Sequence, residues 1–219
     1  MITRYGYDVV GVIVLVCLIG ICAAWFIVDG RVLKSILIIL AVSALVFTLY
    51  FFRDPDRRPP SGEDLVLAPA DGTIVLIQQT QEAEYLGGEA TQVSIFMSPL
   101  NVHVNRWPLS GTVRYFRHVP GEYIVAMDEK SSLRNERTLI GLETGRGKVL
   151  FKQIAGFIAR RIVAPIKEGD TAVRGERFGM IKFGSRVDVL LPRGAELRVK
   201  IGDHTVAGET VLAQMPPNG

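Results

Sequence analysis

Two long uncharged stretches near the N-terminus constrain this chain more than any other feature. The segments "VVGVIVLVCLIGICAAWFIV" (residues 9–28) and "SILIILAVSALVFTLYFF" (35–52) contain no charged side chain. A helix needs about 20 apolar residues to span a bilayer, and fewer when flanking residues snorkel. Only the six residues "DGRVLK" separate the two segments, which leaves room for a tight turn. The pattern therefore predicts a transmembrane helical hairpin over residues 1–52, with spans at about 9–28 and 33–52.

The basic residues around this hairpin predict its orientation. Four lie outside the two spans and two lie in the turn: Arg4, Arg53, Arg57 and Arg58 against Arg31 and Lys34. Because Lys and Arg favour the cytoplasmic side, we expect both termini in the cytoplasm and the hairpin in the cell membrane. The alternative is a signal peptide followed by a stop-transfer helix. Its apolar core would be long for a signal, and no A-x-A cleavage pattern lies between the segments.

A proline-rich linker separates the hairpin from the rest of the chain. The segment "FFRDPDRRPPSGED" ends the second span, since its three prolines prevent further helix. We expect a linker over residues 53–64 and one folded domain over 65–219. After Phe52 the chain has 22 basic and 20 acidic residues and no basic run, so no nucleic-acid partner is indicated. Cys17 and Cys22 both lie in the first span, so no disulfide framework is expected.

The domain after the linker has the pattern of a mainly β fold. Short β-rich runs bounded by glycine recur: "GTIVLIQQ", "TQVSIFMS", "GTVRYFRHV", "RTLIGLET", "GKVLFKQIAGFIARRIV", "RVDVLL", "ELRVKI" and "ETVLAQM". An internal echo, G-D-x-x-V-x-G-E, occurs in residues 169–176 and again in 202–209. With "APADGTIVLI", this pattern resembles the barrel-sandwich hybrids of biotinyl and lipoyl domains. We therefore expect a barrel-sandwich-like β domain with a few short helices.

Three short segments contain the candidate functional residues. The run "GMIKFGSRVDVLLP" alternates like a strand but includes the step Gly184-Ser185, and glycine inside a strand usually marks a bulge or a close backbone approach. His103 lies in "FMSPLNVHVNRWP", and Asp71 lies in the turn "PADG". Considered singly, His103 is typical of a core histidine, Asp71 of a turn residue and Gly184-Ser185 of a bulge. Only their combination indicates chemistry.

In that combination, the chain resembles the phosphatidylserine decarboxylase family in its short, membrane-anchored form. The resemblance extends through "FFRDPDRRPP", "APADGTI", "FMSPLNVHVNRWP", "HVPGEYIVAMDEKSSLRNERT" and "VRGERFGMIKFGSRVDVLLP". It implies that the proenzyme breaks its own Gly184-Ser185 bond, yielding a large chain of residues 1–184 and a small chain of 185–219. Ser185 would become a covalent pyruvoyl group, which serves as the cofactor.

The resemblance also implies the reaction and the roles of the residues. The pyruvoyl group would form a Schiff base with the serine amine of phosphatidylserine, carbon dioxide would leave, and phosphatidylethanolamine would be released. Asp71 and a histidine would assist Ser185 in self-cleavage, as in a Ser-His-Asp triad. His103 would serve the decarboxylation step. No metal site is required, and the sequence has no metal-ligand cluster.

One position departs from the family pattern. Many members have H-x-x-H where this chain has "HVNR", so Arg106 takes the place of the second histidine, which is usually credited with self-cleavage. Either His103 serves both steps, or His118 or a water molecule supplies the second base. Arg106 and His118 are therefore also candidate substrate-binding residues, with Arg106 suited to a lipid phosphate.

Two other functions fit parts of the pattern. A membrane-tethered serine hydrolase would use Ser185, His103 and Asp71 without self-cleavage. A non-enzymatic barrel-sandwich adaptor would not need Ser185 at all, but the repeated turns offer no acceptor lysine. The sequence leaves open whether the lipid tails are diacyl or ether-linked, and whether the protein forms a homo-oligomer.

Overall fold

A computed structural model describes residues 1–121, 135–156, 161–182 and 185–216. It divides the chain into two compact units, Met1–Asp56 and Arg57–Gly219. The first unit holds the apolar segments, and the second holds the candidate functional residues.

The first unit is a pair of helices. Helix α1 covers Tyr7–Ile27 after a short 3-10 turn at Arg4–Gly6, and helix α2 covers Arg31–Phe51. Both helices are long and apolar enough to cross a membrane, judged by length and composition. Many of their large apolar side chains are exposed, as expected of a surface that faces lipid. The predicted helical hairpin is thereby confirmed.

The second unit is built from short and medium strands. Their bounds are β1 Leu65–Leu67, β2 Gly72–Glu82, β3 Gly88–Met97, β4 Val104–Arg106, β5 Gly111–Val119, β6 Arg137–Thr144, β7 Gly147–Ala155, β8 Arg161–Val163, β9 Thr171–Ala172, β10 Arg177–Lys182, β11 Ser185–Pro192, β12 Glu196–Leu197, β13 His204–Thr205 and β14 Val211–Gln214. The mainly β fold is confirmed. The short helices expected beside it do not fall within the described part of this unit.

Eight of these strands form one antiparallel sheet. Its order is β13-β2-β3-β11-β7-β6-β5-β9, so β11 lies near the middle with β3 and β7 as neighbours. Two three-stranded sheets, β1-β14-β12 and β4-β10-β8, complete the unit. The central position of β11 means that both of its edges are hydrogen-bonded, which fixes the register of its first residue, Ser185.

The repeated sequence motif forms the two edges of the large sheet. Gly169 and Gly202 both have φ +92°, a left-handed conformation that favours glycine. Each donates its N–H to an inner strand at 2.8 Å, Gly169 to Val113 O and Gly202 to Ile74 O. The strands that follow, β9 and β13, pair with β5 and β2 at opposite ends of the sheet. The sequence echo therefore corresponds to equivalent turns at the two edges.

The core lies on one face of β11. Val187, Val189 and Leu191 are fully buried and pack in the main apolar cluster, together with Ile95 and Met97 of β3. Because side chains alternate along a strand, Ser185 lies on this same face. A one-residue slip of β11 would move Ser185 to the opposite face.

The opposite face of β11 holds a buried ion pair. Arg186 Nε lies 2.6 Å from Asp188 Oδ1, and Arg186 Nη2 donates to Ser94 Oγ at 2.9 Å. A buried charge is costly unless it is paired and hydrogen-bonded. A one-residue slip of β11 would turn the Arg186-Asp188 pair into the apolar core and break the contact with Ser94, so this pair opposes the slip. The sequence alternation of β11 is therefore reinforced by a specific polar contact.

Candidate active site

Ser185 lies in the interior at the very beginning of β11. It is paired with Met97 of β3 on one side and with Ala155 of β7 on the other. Its side chain is fully buried, and its Oγ donates a hydrogen bond to Met97 Sδ at 3.3 Å. A thioether is a weak acceptor, so this bond holds the hydroxyl in place with little energy. Gly184, the other half of the predicted cleavage site, lies outside the described residues.

A buried polar chain ends at the same sulfur atom. Asn105 of β4 directs its Nδ2 at Met97 Sδ, 3.9 Å away, and donates to Pro69 O at 3.3 Å. Its Oδ1 accepts from Gln153 Nε2 at 2.8 Å, and Gln153 Oε1 accepts from Thr138 Oγ1 at 2.8 Å. All these side-chain amides and hydroxyls are buried and hydrogen-bonded, as buried polar groups must be.

His103 precedes β4 and is fully buried. Its Nδ1 lies 2.9 Å from the carbonyl oxygen of Asn101, which can only accept. Nδ1 therefore carries a proton, and in the neutral ring Nε2 is the nitrogen able to act as a base. The N–H of Ile181, four residues before Ser185, donates to the His103 carbonyl at 3.3 Å. This bond ties the histidine to the segment that leads into the cleavage site.

Asp71 lies in the turn before β2 and is held by two partners. Its Oδ2 forms a 2.8 Å ion pair with Arg57, and its Oδ1 accepts from the backbone N–H of Ala207 at 2.7 Å. The carboxylate is mostly buried, so both contacts stabilise its charged form. Asp71 thereby joins the linker to the C-terminal part of the chain. Its predicted role in self-cleavage stays a prediction.

The two substrate-binding candidates differ in their surroundings. Arg106 is buried, and its Nη1 donates to Gly175 O at 2.9 Å. His118 is half-exposed, and its Nε2 lies 3.0 Å from Glu136 Oε1. It is on β5, three strands from β11, or about 14 Å at the usual strand spacing. Their roles toward the lipid also stay predictions.

Three residues near Ser185 were not singled out from the sequence. Asn105 is inside the quoted run "NVHVNRWP", next to the histidine that attracted attention. Gln153 is a polar residue in the apolar run "VLFKQIA", a pattern that signals a buried hydrogen-bonded group. Met97 had no distinguishing signal, since methionine most often fills a core.

The described residues contain no group of three or more His, Cys, Asp or Glu side chains that could hold a metal ion. What they provide instead is a buried serine at the beginning of a central strand, a buried histidine whose Nδ1 faces a carbonyl oxygen, and a buried asparagine amide. The fold and these residues define a mainly β protein with a buried polar cluster around a serine.

Comparison with known proteins identifies the family. The family model for phosphatidylserine decarboxylase matches residues 44–213. A phosphatidylserine decarboxylase proenzyme of Chlorobium phaeobacteroides is 46% identical over 217 residues, which cover 98% of this chain and 100% of that protein. The proenzyme of Chlorobaculum tepidum is 52% identical over 180 residues, covering 81% and 83%. That of Salinibacter ruber is 48% identical over 197 residues, covering 89% and 86%. The chain belongs to the phosphatidylserine decarboxylase family.

This membership confirms the resemblance that the sequence indicated and supports a decarboxylase enzyme. The two alternative functions, a serine hydrolase and a non-enzymatic adaptor, are not favoured by any of these similarities.

Proposed function

We propose that this protein converts phosphatidylserine to phosphatidylethanolamine and carbon dioxide, after cleaving itself between Gly184 and Ser185. The observation that carries the proposal is the buried position of Ser185 at the first residue of a central strand. The similar curated proteins are named as proenzymes, which supports activation by cleavage.

The residues at the site suit an intramolecular acyl shift. Ser185 Oγ attacks the carbonyl carbon of Gly184, the peptide nitrogen leaves as an amine and takes up the hydroxyl proton, and an ester replaces the amide. A base then removes the α-proton of Ser185, and the Gly184 carboxylate leaves. The dehydroalanine that forms takes up water and loses ammonia, which leaves a pyruvoyl group at residue 185. The pairing of Ser185 with Met97 and Ala155 holds the nucleophile while its neighbour reacts.

The strand pairing of Ser185 also suits the group that this reaction produces. The first residue of β11 stays between β3 and β7, so the new chain end is fixed by strand pairing on both sides. Its side chain is buried against Met97 Sδ, which the Asn105 amide contacts as well. The pyruvoyl group supplies an electron sink for the electrons left when carbon dioxide departs. His103, with Nδ1 fixed by Asn101, is the residue that we assign to proton transfer at the substrate.

The remainder of the small chain is anchored by the large chain. Thr205 Oγ1 donates to Ala70 O at 2.9 Å, and β14 pairs with β1. Gln214 Nε2 donates to Asp64 Oδ2 at 2.6 Å, and this hydrogen bond lowers the pKa of Asp64 below its usual value. These contacts support the proposal that the large and small chains stay associated after cleavage.

The mass of the mature protein tests the proposed function. We expect purified protein to contain a chain of residues 1–184 and a chain of 185–219 that is lighter, by one molecule of ammonia, than the serine-initiated fragment. An amine reagent that traps ketones should add to the small chain and stop carbon dioxide release from phosphatidylserine vesicles. An ordinary N-terminal serine on the small chain would mean simple proteolysis, and an intact active chain would exclude the pyruvoyl mechanism.

The membrane hairpin supports a location at the surface where the lipid lies. We propose that both termini face the cytoplasm, because four basic residues flank the hairpin outside and two lie in its turn. A protease added to right-side-out cell vesicles is expected to leave residues 57–219 intact and to digest them once the vesicles are opened. Digestion before opening would reverse the orientation.

A further inference from the structure

The buried polar chain that ends beside Ser185 is more specific than core packing requires. It runs from Thr138 to Gln153 and Asn105, and each link is a hydrogen bond of 2.8 Å. It ends at Met97 Sδ, which lies 3.9 Å from Asn105 Nδ2 and 3.3 Å from Ser185 Oγ. Buried amides cost free energy unless every group is bonded, so an apolar residue at these positions would be simpler to accommodate.

The chain of donors and acceptors fixes which way the Asn105 amide faces. The Pro69 carbonyl can only accept, so Asn105 turns its NH₂ toward Pro69 O and Met97 Sδ and its Oδ1 toward Gln153. That oxygen needs a donor, so Gln153 turns its NH₂ toward Asn105 and its Oε1 toward Thr138, whose hydroxyl donates to it. The Asn105 NH₂ is thereby directed at the sulfur that accepts from the Ser185 hydroxyl.

Arg106, which follows Asn105 directly, has a contact of a different kind. Its guanidinium is directed to the carbonyl of Gly175, in the turn that precedes β10. Along β4, neighbouring side chains point to opposite faces, so the side that bears Asn105 is the one that reaches Met97.

We propose that Asn105 is a positioning residue for self-cleavage, acting through Met97. Its amide, oriented by Pro69 O and held by Gln153, fixes the sulfur against which the Ser185 hydroxyl rests, and so sets the rotamer from which the hydroxyl attacks. The weak bond to the thioether holds the oxygen without making it costly to release. This inference rests on the proposed self-cleavage at Gly184-Ser185. Because a misplacement of about 1 Å can slow a reaction about 10²-fold, we expect an effect of about that size.

The test follows cleavage of the newly made full-length chain. The protein is synthesised with a labelled pulse in a cell-free system containing phospholipid vesicles, and the conversion of the 219-residue chain to the 185–219 fragment is timed. Asn105→Leu should slow conversion about 10²-fold. Asn105→Asp should also be slow at basic pH, where a carboxylate cannot donate. It should recover relative to the wild type as the pH falls, because the protonated acid donates again; burial raises the pKa of such a carboxyl group.

A second variant pair separates orientation from a general loss of packing. If Gln153 acts by holding the Asn105 amide in place, then Gln153→Leu should slow cleavage, and the double variant with Asn105→Leu should be no slower than Asn105→Leu alone. Gln92 is a matched control, a buried amide of β3 whose Nε2 donates to Ser94 Oγ on the opposite face of the sheet. Gln92→Leu should cleave at the wild-type rate. Thermal unfolding of each variant in an uncleavable Ser185→Ala background shows whether it is folded under the conditions of the assay.

Each outcome decides the proposal. Folded Asn105→Leu that cleaves as fast as the wild type would overturn it, and so would additive slowing in the double variant. An Asn105→Asp to wild-type rate ratio that does not change with pH would overturn it as well. A wild-type chain that never cleaves would instead refute the proposed function, which keeps the two failures distinct.

Discussion

Ser185→Ala is expected to leave a single chain of 219 residues with no decarboxylase activity. The substitution removes the hydroxyl that is proposed to attack Gly184, and without cleavage no pyruvoyl group can form. The methyl group of alanine fits the space of the serine side chain, and the only described bond lost is the weak one to Met97 Sδ. We therefore expect the variant to fold normally. Gel electrophoresis and intact mass measure the cleavage, and carbon dioxide release from phosphatidylserine vesicles measures the activity.

Ser94→Ala is the matched control for this variant. Ser94 is also fully buried, lies on the neighbouring strand β3 and accepts from Arg186 Nη2. Removing the Ser94 hydroxyl breaks the bond from Arg186, which is stronger than the bond from Ser185 to Met97 Sδ. The Ser185 hydroxyl itself is unchanged. Ser94→Ala should cleave and decarboxylate, although it should unfold at a lower temperature. A Ser185→Ala chain that is cleaved at residue 184, or that releases carbon dioxide while intact, would refute the role of Ser185.

His103→Ala is expected to abolish decarboxylation, with a loss of about 10²- to 10⁴-fold, because the protein loses the group assigned to proton transfer. Its effect on self-cleavage answers a separate question. If cleavage also stops, His103 serves both steps; if cleavage continues, His118 or a water molecule acts as the base for it. His118→Ala, which alters a half-exposed side chain paired with Glu136, distinguishes these two. Normal maturation and turnover of His103→Ala would remove the residue from the mechanism.

Asp71→Asn belongs to the same test, because its proposed role is to orient the base. Triad asparagine variants lose about 10⁴ in rate, and strong slowing of self-cleavage is expected here. Arg57→Gln is the necessary comparison, since it breaks the 2.8 Å ion pair but keeps the carboxylate. If Asp71 acts on a histidine, Asp71→Asn should be much slower than Arg57→Gln. Equal effects would mean that Asp71 serves only to hold the linker and the Ala207 segment together.

The architecture was accessible from the sequence because its signals are local. Uncharged length predicts a membrane helix, and alternation with glycine-bounded turns predicts strands. The echo between residues 169–176 and 202–209 also had a local cause, since both copies need left-handed glycines and both close a sheet edge. The strand order was not accessible, because nothing local specifies that β11 inserts between β3 and β7.

The candidate site was accessible only where a residue has conspicuous chemistry. Singly, a Gly-Ser step and a histidine suit a bulge and a core position; Ser185 and His103 were found because their segments together resemble those of the family. Asn105 and Gln153 were overlooked because their meaning depends on which side chains meet across three strands, a long-range property. Asp71 was recognised from its motif, but its pairing with Arg57 joins positions separated in sequence by a proline-rich linker. Long-range pairing of this kind has no local signature.

The central position of β11 gives the mature protein an unusual thermodynamic character. Before the cut, the sheet closes within one covalent chain, and folding is a first-order process. If the chain is cut between Gly184 and Ser185 as proposed, β11 lies in a 35-residue small chain, residues 185–219, that pairs with β3 and β7 of the large chain. Unfolding would then be coupled to dissociation, and recovery would depend on the concentration of two molecules. The uncut chain would serve as an intramolecular template for a complex that separate fragments would have to assemble by collision.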